Sequence, residues 1–118
     1  MGNVYIGKVT ASRHYKVTKN GRNLSPKRSQ RVWNHSPDGF CWGYGGSGPA
    51  QLALALLLSE GLPRWQALRY YQDFKRGVIA RLPAEPGDQW RLSGQSIMEW
   101  LADNTDCDLF DLRKLPVS

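Results

Sequence analysis

An α+β fold is what this sequence predicts: a small N-terminal antiparallel sheet packed on a central buried helix, with two further helices. Three observations carry that expectation. Strand-like runs fill the first third of the chain, and helical periodicity dominates the rest. An Asn20-Gly21 pair, which supplies the positive φ angles of a tight hairpin, follows the second of those runs. Residues 50–58 are apolar at every position but Gln51, the pattern of a helix surrounded by protein on all sides.

The elements follow in order. Val4-Tyr5-Ile6-Gly7-Lys8-Val9 is rich in β-branched and aromatic residues and reads as the first strand. His14-Tyr15-Lys16-Val17-Thr18 alternates polar and apolar residues, as a half-buried second strand does. Arg22-Asn23-Leu24 begins the return strand beyond the Asn-Gly turn. Residues 25–30 read as a polar, basic loop, and Arg31-Val32-Trp33-Asn34 as one more short strand. A glycine-rich loop then leads straight into the apolar helix. Ser47 is its expected N-cap, and Pro49 is tolerated in the first turn because its missing N–H has no partner there.

Pro63 opens a second helix with Trp65, Leu68, Tyr71, Phe74 and Val78 as its expected inner stripe. Residues 82–88, with two prolines and a glycine, form a loop. Gln89-Trp90-Arg91-Leu92 is a short extended piece, and Ser93 caps a third helix that turns Ile97, Met98 and Leu101 inward. One domain is expected: a basic strand region (1–34), a glycine-rich loop (35–48), a helical region (49–103) and an acidic tail (104–118) with embedded Leu109, Phe110 and Leu112.

A chain of 118 residues suits one domain. An aromatic content of 11% argues against a disordered chain, which could not bury a core. Composition excludes a multidomain enzyme, a collagen-like rod and a coiled coil. The longest apolar run, Leu52 to Leu58, falls far short of the ~20 residues that cross a bilayer, so no membrane partner is expected. The first residues lack the apolar core of a signal peptide, and the expected location is the cytoplasm. Cys41 and Cys107 are too few for a disulfide framework and read as reduced thiols. With His14 and His35 they have no metal-ligand spacing, and nothing calls for a cofactor.

Charge is one-sided. Residues 1–34 hold eight bases and no acid, whereas all ten acids fall in residues 35–118. Such a field attracts an anionic partner, either nucleic acid or a phosphorylated small molecule. It also suits a solvated face that meets the acidic C-terminal part of its own or a neighbouring chain. Lys16, Lys19, Arg22, Lys27 and Arg28 are the candidate contacts for a nucleic acid or a protein partner. No helix-turn-helix, zinc finger or aromatic RNA-binding signature accompanies them.

Five glycines lie between residues 39 and 48, immediately before a helix start. Successive backbone N–H groups there can converge on one anion, and the helix adds partial positive charge. This is neither a P-loop nor a dinucleotide fingerprint, since no Gly-Lys-Ser/Thr and no G-x-G-x-x-G in a strand-turn-helix unit is present. The glycines equally suit close packing of the chain against the buried helix. In the ligand reading, the N–H groups of Gly45, Gly46, Ser47 and Gly48 take phosphate. Trp42 and Tyr44, freed by flanking glycines, stack on a base, and Gln51, His35 and Arg31 add polar contacts. In a hydrolytic reading, Ser47 and His35 are nucleophile and base, with Asp38 the nearby acid.

The run from His35 to Leu57, of the form H-S-P-x-G-F-x-W-G-Y-G-G-S-G-P-A-Q-L-A-L-A-L-L, resembles the signature of a small family of unknown function found in bacteria, their phages and mobile elements. Tyr5-Ile6-Gly7, Tyr70 to Lys75, and Trp90-Arg91-Leu92-Ser93 with Ile97 and Trp100-Leu101 extend the likeness over most of the chain. The resemblance implies no catalytic residue. It implies a phage or mobile-element setting, where small proteins act against host defences in the host cytoplasm.

The first expectation is therefore a counter-defence binding protein that holds an anionic or nucleotide ligand at the glycine loop. A homo-oligomer would enclose such a ligand better than one small protomer. The alternatives are an anti-CRISPR-like inhibitor that blocks a host nucleic-acid-handling complex through its basic surface, and a small hydrolase.

Overall fold

A computed structural model describes residues 2–107. Leu109, Phe110 and Leu112 of the expected acidic tail lie outside the described residues. The chain runs β1 (Val4–Val9), β2 (Tyr15–Lys19), β3 (Arg22–Asn23), α1 (Lys27–Val32), α2 (Ser47–Ser59), α3 (Arg64–Gly77), a 3-10 turn (Ile79–Arg81), β4 (Gln89–Ser93) and α4 (Gly94–Asn104). The α+β class is as expected. The strands form one antiparallel sheet in the order β3-β2-β1-β4.

The hairpin forms where the Asn-Gly pair predicts it. Asn20 and Gly21 both have positive φ, at 53° and 84°. The sheet is not wholly N-terminal, because β4 pairs with β1 from Val4↔Ser93 to Lys8↔Gln89. The extended piece at 89–92 is thus a sheet strand, and β1 is interior.

Alternation along β1 turns Tyr5, Gly7 and Val9 toward the core. Gly7 stands between Val17 of β2 and Trp90 of β4. A Cβ on Gly7 would lie 2.1 Å from the Trp90 ring, so glycine makes room for the indole. Trp90, Val17 and Tyr5 share one core with the leucines of α2, with Ala67, Tyr70, Tyr71 and Phe74 of α3, and with Ile97 and Leu101 of α4.

Helix α2 is buried from Gly48 to Leu58, as its uniform apolarity requires. Its C-terminal end is tied to β1, where Tyr5 Oη donates to Glu60 Oε2 at 2.5 Å and lies in hydrogen-bond contact with Ser59 Oγ at 2.8 Å. Burial and the adjacent Glu60 carboxylate push the Tyr5 hydroxyl well above its ordinary range, so it stays a donor. Helix α4 opens on a capping box: Ser96 N donates to Ser93 Oγ at 3.0 Å, and Ser93 N to Ser96 Oγ at 3.1 Å. Among the described residues no helix is long and apolar enough to cross a membrane.

Three local expectations are corrected. Residues 27–32 are helix α1 rather than a loop and a strand. A helix of six residues has little stability of its own, and this one is held by tertiary contact through its buried Ser29. Helix α2 starts at Ser47 with Gly46 at the N-cap, and no side chain caps it. The inner stripe of α3 is Ala67, Tyr70, Tyr71 and Phe74, while Trp65 in the first turn is 63% exposed. Rotation of the helix against α2 thus selects the small Ala67 over the large Trp65 for close approach.

Candidate functional site

The glycine-rich loop is anchored at one end and open at the other. Trp42 is only 1% exposed. Its ring packs edge-on against Tyr15 and Trp90, at centroid distances of 4.8 and 5.3 Å, and its Nε1 donates to Pro83 O at 2.9 Å. Trp42 therefore cannot stack on a ligand: flanking glycines do not expose a ring that fills the gap between sheet and loop. Gly43 follows with φ of 89° and donates to Ile79 O at 3.1 Å. From Tyr44 onward the loop faces solvent, and Tyr44 is 53% exposed.

Beside this open part lies a groove of about 670 Å³. Tyr44 of the loop, Ser47 and Gly48 of α2, Lys16 and Val17 of β2, and Arg13 and His14 of the β1–β2 turn all line it. Asp38 is its one acid, and Cys41 lies in its wall. The first intrahelical bond of α2 is Ala50 N to Gly46 O at 3.1 Å. The N–H groups of Gly45, Gly46, Ser47 and Gly48 have no acceptor among the described residues. Gly48 is required by packing as well, since a Cβ there would lie 2.0 Å from Cys41 Sγ.

Cys41 Sγ and Tyr44 Oη are 3.1 Å apart. That bond, with burial, pushes the Tyr44 hydroxyl up to about 12. Burial also pushes the Cys41 thiol up, against the opposing effect of Tyr44. Both groups stay protonated at physiological pH, and either can donate to the other.

Gln51 is fully buried and spends its whole amide on the protein. Its Oε1 accepts from His35 N at 2.8 Å and Ser36 N at 3.0 Å, and its Nε2 donates to Ser29 Oγ at 2.9 Å and Trp33 O at 3.1 Å. It is thus no ligand contact: the one polar residue in the buried stretch of α2 serves as a clamp on the segment from α1 to the glycine loop.

His35 lies outside the groove. Its Nε2 is 2.6 Å from Tyr71 Oη, and its ring stacks on Trp33 at 5.5 Å and 11°. Burial, and then the Lys75 ammonium, hold its pKa below the ordinary value. His35 and Ser47 share no hydrogen bond, so the hydrolytic pairing is not assembled here. Arg31 is exposed on α1, also outside the groove.

Of the candidate partner contacts, Lys16 lines the groove, Lys19 and Arg22 flank the hairpin turn, and Lys27 and Arg28 are exposed on α1. Arg13 and His14 were not singled out by sequence. Arg13 has φ of 66°, an unusual conformation for a residue other than glycine, and no sequence pattern announces it. Trp33, one of the aromatics that the sequence places around the loop, is a ring 57% exposed yet held against His35.

Comparison with known protein families places most of the chain within one of them. The model of a family described as Family of unknown function (DUF6166) matches residues 5–103. No curated protein and no solved structure matches the chain.

Proposed function

The chain belongs to the DUF6166 family of unknown function, and from that premise we propose that it is a binding protein for a phosphate-bearing ligand of nucleotide size, held in the groove at the start of α2. One observation carries the reading: N–H groups without internal acceptors at the N-terminus of a buried helix border a groove edged by Arg13, His14 and Lys16. Ser47 and Gly48 would donate to the phosphate, Lys16 and Arg13 would balance its charge, and the exposed Tyr44 would take the base or sugar. Trp42 and Gln51, both committed to the interior, have no part in it. In the mobile-element setting that the sequence resemblance implies, such a protein would act by sequestering a nucleotide signal.

Thermal shifts test this directly, because a ligand that binds only the folded state raises the melting temperature. Phosphate, pyrophosphate, linear nucleotides and cyclic nucleotides should raise it, and the matching nucleosides should not. Lys16→Ala should reduce the shift. Arg13→Gly should reduce it too while raising the melting temperature of the free protein, since glycine relieves the strain at that φ. Equal shifts for nucleosides and nucleotides, or none for any phosphate compound at millimolar concentration, would refute the proposal.

A second reading, an inhibitor that meets an acidic partner surface, is favoured by Lys27 and Arg28 standing exposed on α1 with no acid in its first turn. Pull-down with and without charge reversal at both positions separates it from the first, because the groove would be untouched.

A further inference from the structure

Trp33 is a large ring held in the open. More than half of it is exposed, yet its N–H donates to Ser29 O at 2.9 Å and its C=O accepts from Gln51 Nε2 at 3.1 Å. One face of the indole lies on the His35 imidazole, 11° from parallel. His35 in turn is fixed by Tyr71 Oη and by Gln51 Oε1. Trp65 is the contrast: equally exposed, but with no ring contact among the described residues. A single exposed aromatic needs no explanation. An exposed aromatic whose backbone and one face are both immobilised through a buried glutamine is a preorganised flat surface, and its entropy of ordering has already been spent in folding.

The surroundings are cationic. Lys27, Arg28 and Arg31 are all exposed on α1, the helix that ends at Trp33. The first 59 residues contain one acid, Asp38. Lys75 lies close to His35 and donates from Nζ to Gly45 O at 3.3 Å. An exposed indole at the end of a helix that carries three exposed cations matches a chain of alternating bases and phosphates. An acidic polypeptide would match the charges but leave the indole face unused. A duplex would hide its base faces within the stack.

We propose that Trp33 is a stacking platform for one base of a single-stranded nucleic acid, with the flanking phosphates on Arg31 and Arg28. This surface is separate from the groove, and the proposal stands whether or not a nucleotide binds there. Fluorescence anisotropy with a labelled oligothymidine of about twelve nucleotides, at low and moderate salt, tests it. The wild type should prefer the single strand to a duplex of equal length. Trp33→Ala should weaken binding roughly ten-fold or more, Trp33→Phe should keep most of it, and Trp65→Ala should leave it unchanged. Arg28→Ala with Arg31→Ala should flatten the salt dependence. Thermal melting of each variant checks that an exposed ring was removed without unfolding the chain.

The proposal is overturned if the wild type fails to bind at low salt, if Trp33→Ala binds as the wild type does, or if duplex binds as tightly as single strand. Displacement by poly-glutamate as effective as by unlabelled oligothymidine would also overturn it and would mark an acidic protein as the partner.

Discussion

At the scale of single residues, Gln51 is the position whose chemistry reaches furthest. Replacing it by leucine suits the apolar helix, but leaves the half-buried N–H groups of His35 and Ser36 without their acceptor. Two such orphans cost roughly 2–5 kcal/mol together. Urea denaturation of Gln51→Leu should show a loss of that size, and hydrogen exchange should speed up at residues 33–36 before the rest of the chain. A stability within ~0.5 kcal/mol of wild type would mean that water replaces the clamp.

His35 has a sign that can be worked out. Burial, helped by Lys75, depresses its pKa, so the folded chain binds the proton less readily than the unfolded chain. The stability this neutral ring contributes is present above its ordinary value of 6.5 and is lost as pH falls through the lower folded value. The melting temperature of the wild type should therefore fall as pH drops from about 7.5 to about 5, and that of His35→Gln should fall less over the same range. Parallel profiles for the two proteins would remove His35 from the account. Sequence showed that a histidine stood beside the loop, but not that Tyr71, 36 positions further on, would bond to it. The same blindness to tertiary partners made Trp42 look a better stacking ring than Trp33, whereas Trp42 is 1% and Trp33 57% exposed.

At the scale of elements, two helix starts make opposite predictions from similar sequences. Ser93 accepts from Ser96 N, so Ser93→Ala should cost about 1 kcal/mol by thermal or urea unfolding. Ser47 looks like a cap but stands one position inside the helix, with Gly46 at the cap and no side-chain bond. Ser47→Ala should change stability by less than about 0.5 kcal/mol, while weakening phosphate binding only if its hydroxyl, and not just its N–H, meets the ligand. A loss of about 1 kcal/mol at Ser47 would show that the hydroxyl caps in solution. Helices α2, α3 and α4 were legible because periodicity, or its complete absence, is written locally in the residues. Helix α1 was not, since its six residues have no apolar stripe and fold against a glutamine from another element.

At the scale of the whole molecule, the closing step joins segments far apart in the chain. Pairing of β4 with β1 brings Trp90 over Gly7, and the Trp42 ring then packs edge-on against Trp90. No local pattern announces that row. Gly7 reads as a mere interruption of a good strand, and the extended piece at 89–92 gives no sign of which strand it will join. The geometry makes a sharp demand at this point. A methyl at residue 7 would meet Trp90 Cε2, Nε1 and Cζ2 at 2.1, 2.3 and 2.4 Å, and the indole is also packed edge-on with Trp42 at 5.3 Å.

Gly7→Ala should therefore cost roughly 1–3 kcal/mol, the usual range for overpacking, despite the better strand propensity of alanine. The displaced indole would press on Trp42, so the loop that follows it should loosen and the phosphate-induced thermal shift should shrink as well. Trp90→Leu alone should destabilise by leaving a void. Combined with Gly7→Ala it should destabilise less than the sum of the two, because the added methyl then enters space the indole has left. A double-mutant cycle on unfolding free energies reads that coupling. Additive losses would mean that the strand, and not the ring, absorbs the methyl, and would separate the core of the sheet from the loop that the groove depends on.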